Sequence, residues 1–335
     1  MKRTIAHIYV IVLAAVISMN FTSNAQDYAP NSYLSNPISL NPATAGLFNA
    51  DIRTNVSFWR TSYAVGKPQN SISASSDFSL LRNFLPKGDG IGLGLLYIQQ
   101  NGIDRYSTAN LHGGLYFRTV QGVGFAISYH KSIGKKNLHK LSGGFRWMNA
   151  TSNYAFQNGT TAWYNMSFIN FGVLYSANLS KKIGFCIGTN YINDKYTDNF
   201  SYVGLLQTHV GGSLKVRDRF TIFGNLQSVI DRAPYIRFQG MGYVRISLND
   251  ILFSPNSTKA VFIGSGYSRN DALLPYLAFE YNNFRVGFSL LKDNSTSYDP
   301  KRAKSGFECT LVYNARTPLS KEYRKRNIWH IPSMY

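Results

Sequence analysis

From Ile91 to Val312 the chain is written in short segments whose large apolar side chains alternate with small, polar or charged ones. The run Val123 to His130 is the clearest case. Val123, Phe125, Ile127 and Tyr129 share one parity, and Gly124, Ala126, Ser128 and His130 share the other. A period of two places successive side chains on opposite faces of a strand, so each segment has one oily face and one wet face. The same alternation separates Leu141, Gly143, Phe145 and Trp147 from Ser142, Gly144, Arg146 and Met148, and Ile169, Phe171, Val173 and Tyr175 from Asn170, Gly172, Leu174 and Ser176. Strands of soluble sandwiches average about 5–6 residues. These segments run to roughly 9–12, the length a tilted strand needs to cross a bilayer. The pattern predicts an all-β fold, an antiparallel transmembrane β-barrel of the outer-membrane kind.

The beginning of the chain predicts export. Lys2 and Arg3 precede an apolar stretch from Ile8 to Ile17, and Ser23-Asn24-Ala25 offers the small residues that a signal peptidase reads. The stretch is too short for a membrane anchor, which needs about 20 apolar residues. The expected organisation is a signal peptide over 1–25, a periplasmic N-terminal segment over 26–50, the barrel over 51–313 and a basic periplasmic tail over 314–335. A membrane protein that spans with strands must close, because only closure pairs every backbone N–H and C=O in hydrocarbon. Mean hydropathy of −0.17 with 15% charged residues, 23 Tyr, 22 Phe and 28 Gly suits a polar lumen inside a lipid-facing skin.

Candidate strands fall near 52–63, 68–80, 90–100, 106–118, 122–133, 138–149, 166–178, 182–192, 205–217, 219–228, 235–248, 258–268, 274–281, 284–292 and 303–313. Single-chain bacterial barrels usually have an even number, so one of these segments is wrong or one is missing. The links 151–165, 193–204 and 293–302 are long and polar. Those at 179–181, Arg217-Asp218 and Asn282-Asn283 are tight. This alternation puts the C-terminus on the short-turn side and leaves the first five segments out of phase. We adopt fourteen strands, with twelve and sixteen as the neighbouring even counts. Cys186 and Cys309 fall on opposite parities and are expected as free thiols.

Formal net charge is +19. In an exported barrel this excess points to acidic partners or lipid, not to nucleic acid. Arg118, Arg146, Lys215 and Arg245 sit on the inward parity of their segments, and Lys321, Arg324, Lys325 and Arg326 cluster in the tail. The inward set is either an ordinary solvated lumen or a cavity that receives a partner segment or small anions. The tail set is a candidate periplasmic contact. Being on the wet face, Ser128 should tolerate Arg, where outward Phe125 or Phe171 should not.

No catalytic, cofactor or metal constellation emerges. His130 and His139 lack neighbouring ligands in sequence. The glycines of Gly88-Asp89-Gly90-Ile91-Gly92-Leu93-Gly94 lead into a strand and not a helix, which removes the mechanism of a phosphate loop. They fit a curved, tightly packed strand instead. An enzyme is not expected.

The segment after the leader reads Tyr33-Leu34-Ser35-Asn36-Pro37, then Asn41-Pro42-Ala43-Thr44-Ala45-Gly46, then Trp59-Arg60-Thr61-Ser62-Tyr63 on the first strand. This resembles the PorP/SprF family of Bacteroidetes outer-membrane proteins, in which an NPA-x-AG element precedes a strand carrying an aromatic-Arg-x-x-aromatic pattern. Further likeness lies in Gly90 and Gly92 followed by Asn101-Gly102 at a hairpin, in Ser128-Tyr129-His130, and in the closing strand Gly306 to Tyr313. Tyr63 stands where the family more often has Trp. The resemblance implies a component of the type IX secretion and gliding-motility system, with secretion machinery or a secreted surface adhesin as partner. Its motif residues here are Asn41, Pro42, Ala43, Gly46 and Arg60. Read by themselves, Asn41-Pro42 should turn the chain into the first strand, and Arg60 should face the lumen and meet Glu280 or Glu308. The runner-up reading is an anion-favouring diffusion porin or solute transporter.

Overall fold

A computed structural model describes residues 36–48, 50–63, 68–81, 85, 88–104, 116–134, 138–155, 161–180, 182–196, 203–230, 236–248, 259–268, 272–293 and 303–315. The predicted leader and the tail cations Lys321, Arg324, Lys325 and Arg326 lie outside the described residues. Fourteen strands close into one antiparallel barrel in which every strand pairs with its sequence neighbours and β1 (Ile52–Tyr63) pairs with β14 (Ala303–Ala315). The others are β2 (Gln69–Leu80), β3 (Gly90–Asp104), β4 (Tyr116–Ile133), β5 (His139–Ala155), β6 (Thr161–Asn178), β7 (Ile183–Tyr196), β8 (Val203–Lys215), β9 (Phe220–Ile230), β10 (Ile236–Ser247), β11 (Lys259–Ser268), β12 (Ala272–Tyr281), β13 (Phe284–Asp293) and β14.

The strand count of fourteen holds, and the surplus segment is 106–118. Its last residues belong to β4, and β3 continues as far as Asp104, so Asn101-Gly102 lies within a strand and not at a hairpin. Residues 151–155 and 161–165 likewise extend β5 and β6. The reason is the height of one wall. β4 and β6 have 18 residues each and β11 to β13 have 10. At about 3.3 Å per residue and a tilt near 40°, ten residues rise about 25 Å, the height of a barrel's apolar band, and eighteen rise about 45 Å. The excess projects beyond the band, where outward residues turn polar: after Ile169 on β6 come Ser167 and Asn165.

Parity is as the alternation requires. Val123, Phe125, Phe171, Val173, Phe288 and Leu290 are exposed on the outer face, while Ser128, His130, Ser142, Arg146 and Asn170 are buried inside. Cys186 points inward and Cys309 outward, and both are free thiols. The turns at 179–182, 216–219 and 282–283 lie at the end of the barrel where β1 begins and β14 ends. Asn282 takes φ +54 in its two-residue turn, a left-handed conformation to which Asn is better suited than most residues.

Candidate functional site

The lumen is occupied by the chain's own N-terminal segment. Asn36 caps a single helical turn, α1 (Pro37–Leu40), by accepting from the Ser39 N–H, and Asn41 caps a 3-10 turn (Pro42–Thr44) by accepting from the Ala43 N–H at 2.9 Å. Proline at the first position of each turn pre-sets the backbone where no N–H is needed. Ile38, Asn41, Ala43, Thr44, Ala45 and Leu47 are wholly buried. Asn41-Pro42 therefore does more than turn the chain toward β1, as the sequence had suggested. It forms part of a plug inside the barrel.

A register-aligned row of small residues seats this plug. Gly92 of β3 pairs with Ser128 of β4, Ser128 with Gly144 of β5, and Gly144 with Gly172 of β6. All four point inward. A Cβ on Gly172 would overlap Asn41 Oδ1, one on Gly144 would overlap Ala43 N and the Pro42 carbonyl carbon, and one on Gly92 would overlap the Ala45 carbonyl. Residues 41–46 thus cross the strands from β6 to β3 along this row, with Asn41 and Pro42 side-chain atoms against Gly172 and backbone of Pro42, Ala43 and Ala45 against Gly144 and Gly92. Gly46 itself has φ +67 and presses on Gly92 and the Phe78 carbonyl, so both space and conformation require glycine there.

Polar side chains of the wall then bind the plug's backbone. The Arg146 guanidinium donates to the carbonyls of Ile38 (3.1 Å) and Ser39 (2.6 Å). Ser128 Oγ donates to the Ala45 carbonyl at 2.7 Å, and His130 Nε2 lies 2.7 Å from the same oxygen while its Nδ1 meets Ser142 Oγ at 2.8 Å. Nε2 must carry the proton to donate to a carbonyl, so this contact fixes the tautomer. Asn41 Nδ2 in turn donates to the β6 and β7 carbonyls of Val173 and Thr189. At the end next to β1, Arg53 and Asp77 form a fork-to-fork pair with bonds of 2.9 and 2.8 Å, with side chains 2% and 0% exposed. Asp77 also accepts from the Gly46 N–H at 2.8 Å, Arg53 donates to the Thr44 carbonyl, and the Arg53 guanidinium lies 4.6 Å from the Phe48 ring centre.

The wall of β9 to β12 contributes apolar side chains to the same core. Ala43 and Leu47 share one apolar cluster with Phe223, Met241, Tyr243, Phe262 and Tyr276 of β9 to β12. Phe223 and Tyr243 stack at 4.7 Å, and Arg245 and Arg285 lie 5.8 and 5.4 Å from the Phe262 ring centre.

The sequence-predicted residues divide accordingly. Asn41, Pro42, Ala43 and Gly46 converge in the plug. Arg146 is inward and binds the chain's own carbonyls. Arg245 is inward and pairs with Glu280 at 2.8 Å. Lys215 has the inward parity but sits at the strand end, 44% exposed and bridged to Asp218 at 2.9 Å, so it is a turn residue and not part of the cavity. Arg118 lies on β4, and its side chain lies outside the described residues. Arg60 contradicts its expectation: it is exposed on the outer parity, across from Phe307 and Asn70, and Trp59 is the inward residue. It meets neither Glu280 nor Glu308. Arg60 lies three residues from the end of β1 that faces away from the termini, where a long cationic side chain reaches interfacial water with its stem along apolar surface. The sequence reading missed Arg53, Asp77, Ser128 and His130 as plug contacts. The signal that marks them is the alignment of inward Gly92, Ser128, Gly144 and Gly172.

No protein-family model matches the chain, and no curated protein matches it. Among solved structures it is similar to CdiB from Escherichia coli (TM-score 0.48, 6% identity, 79% of this chain and 63% of that one), to the translocator domain of the autotransporter NalP from Neisseria meningitidis (0.48, 9%, 80% and 90%) and to the CymD monoaromatic hydrocarbon channel (0.49, 11%, 88% and 95%). The chain spans less than two thirds of the CdiB length. At these identities the likeness is one of barrel architecture. The closed fourteen-strand antiparallel ring, with an apolar outer band and polar residues turned inward, is an outer-membrane β-barrel whose lumen carries a built-in plug.

Proposed function

We propose that this chain is a non-enzymatic component of a type IX secretion system, a PorP/SprF-type barrel that supports secretion or surface anchoring of large cell-surface proteins such as gliding adhesins by binding partners. The observation that carries this reading is the plug. The Asn41 to Gly46 motif, which bears the family resemblance, is bound through its backbone by Ser128, His130, Arg53 and Asp77, and Arg146 holds the turn before it at Ile38 and Ser39. A diffusion porin needs an open, solvated lumen, whereas here residues 36–48 lie inside it and share an apolar cluster with side chains of β9 to β12. An anion pathway would need inward cations that face water. Arg53 and Arg245 are matched by Asp77 and Glu280, and Arg146 is committed to plug carbonyls. A barrel filled in this way works as a rigid docking platform, with the short-turn end and both termini toward the periplasmic machinery and the taller β4 to β6 wall toward the cell surface.

The test is a deletion strain whose surface proteome is compared with the parent, together with affinity capture of the tagged barrel from solubilised outer membrane. Loss of specific large surface proteins and their recovery with the barrel supports the reading. Normal surface proteins with impaired solute uptake, and steady anion-selective conductance of the purified barrel in liposomes, would favour the porin.

A further inference from the structure

Among the described residues, exposed cations gather on one arc of the end of the barrel where the termini lie. On the arc from β14 to β5 the described cations near the rim are engaged by the fold: Arg53 by Asp77, Lys131 by Asp89, and buried Lys140 by the Gly88 carbonyl and Ser132 Oγ. On the arc from β6 to β11 the turns carry Lys182, Lys215, Arg217 and Arg219 against one described acid, Asp218. Asp218 is 97% exposed and already bridged to Lys215, whose hydrogen bond holds its carboxyl below the ordinary range, and the Lys182 charge acts on it in the same direction. Lys182, Arg217 and Arg219 are all exposed.

These cations stand on short, bonded turns. The N–H groups of Lys182 and Ile183 donate to Ser180 Oγ, and the Leu179 N–H donates to the Ile183 carbonyl. Arg217 exchanges backbone bonds with Phe220 in both directions. The Lys215 N–H donates to the Lys182 carbonyl, and the Ser247 N–H to the Arg219 carbonyl, each at 2.8 Å, so the turns after β6 and β8 and the end of β10 are tied into one shelf. Little backbone order remains to be lost on binding. Beside the cations the outer face carries Leu179 (63% exposed), Val216 (48%) and Phe220 (41%), which continue the hydrocarbon-facing band to the rim. Turns on alternate strands lie about 10 Å apart, two strand spacings. A phosphate held there can meet cations of two turns while the chains attached to it follow the apolar band.

We infer that this arc is a binding site for the phosphate of anionic phospholipid headgroups. Arginine supplies forked donors to phosphate oxygens and lysine a point charge, and the flanking apolar residues select a phosphate that carries acyl chains over a soluble one. The occupant is a lipid because cations and exposed apolar side chains share the same turns at the edge of the membrane band, where an acidic protein would have to displace lipid to reach them.

The test is native mass spectrometry of the full-length barrel released from detergent micelles doped with equal phosphatidylglycerol and phosphatidylcholine. The parent should retain phosphatidylglycerol several-fold over phosphatidylcholine. The K182Q/R217Q/R219Q variant should bring that ratio to about one, and K131Q on the opposite arc should leave it at the parental value. Should the triple variant fail to show the heat-modifiable mobility of a folded barrel, K182Q and R217Q made separately carry the test, each lowering the ratio. Equal retention of both lipids by the parent, or a parental ratio in the folded variants, overturns the inference. Loss of the preference in excess inorganic phosphate would make this a free-anion site and overturn the assignment to lipid.

Discussion

Gly143 and Gly144 are chain neighbours on opposite faces of β5, and they isolate what the plug contributes. A Cβ on Gly143 meets nothing within 4 Å, because it would stand in the lipid-facing layer. A Cβ on Gly144 would overlap the backbone of Ala43 and Pro42, and 2.9 Å away Asn41 Oδ1 caps the Ala43 N–H. Overpacking against backbone costs about 1–3 kcal/mol, and losing the Asn41 cap adds about 1 kcal/mol. Gly144→Val should therefore weaken seating of the plug by about 2–4 kcal/mol, a factor of roughly 30 to 1,000. The barrel ladder itself keeps all its backbone bonds. In planar bilayers Gly143→Val should behave as the parent, and Gly144→Val should show frequent conducting openings with heat-modifiable mobility intact. Matching conductance in the two variants and the parent would refute the idea that the glycine row exists to seat a closing segment.

Other perturbations test separate parts of the same reasoning. Phe125→Arg should cost about 2–4 kcal/mol if its side chain lies near the bilayer midplane, visible as a lower unfolding midpoint in urea. Ser128→Arg should be comparably damaging, because Ser128 is 3% exposed and bonded to the Ala45 carbonyl; this replaces the tolerance that its wet-face parity suggested. Arg53→Met should destabilise by about 3–5 kcal/mol by stranding the Asp77 carboxylate, and Arg53→Met with Asp77→Leu should recover part of that loss in the same assay. Asp89, at the turn before β3, is pushed up by burial, but the hydrogen bonds from Lys131, the Ser132 N–H and Tyr129 outweigh this and hold its carboxyl below the ordinary value. Its stabilisation is complete above the unfolded value near 3.8 and fades as pH falls through the lower folded value. Thermal midpoints of parent and Asp89→Asn should therefore converge in acid and separate above about pH 4.

The sequence disclosed the wall of this molecule far better than its contents. Strand parity is legible because hydrocarbon on one side and a polar lumen on the other force a strict period of two, and Val123 to His130 could be assigned face by face from that rule alone. Strand ends were less legible. Above the apolar band the outward residues of β5 and β6 are mostly polar (Thr151, Asn153, Asn165, Ser167), with Trp163 the large apolar exception, so the tops of these strands read as a long loop. Arg60 lies on the outer face, against the expectation from its charge, because the alternation of its own strand sets its side. Ile52, Thr54, Val56 and Phe58 take the outer parity and carry Arg60 with them, while Arg53, Asn55 and Ser57 carry Trp59 inside.

The plug was hidden for a different reason: apart from those of Arg53, its wall contacts join residues about 30 to 150 positions apart, and no local period encodes them. Once register is known, the logic is simple. Glycine on the inward parity of a barrel strand leaves room for another backbone, and four small inward residues paired in a row from β3 to β6 leave a trough the width of one chain. A segment lying in such a trough cannot use the strand edges, which are all paired, so its carbonyls and N–H groups must be met by wall side chains. Arg146, Ser128, His130 and Asp77 meet them. The inward cation that first suggested a foreign acidic segment is thus explained by the chain's own carbonyls, and a partner of this barrel must find its contacts on the rims or the tall β4 to β6 wall while the plug stays seated.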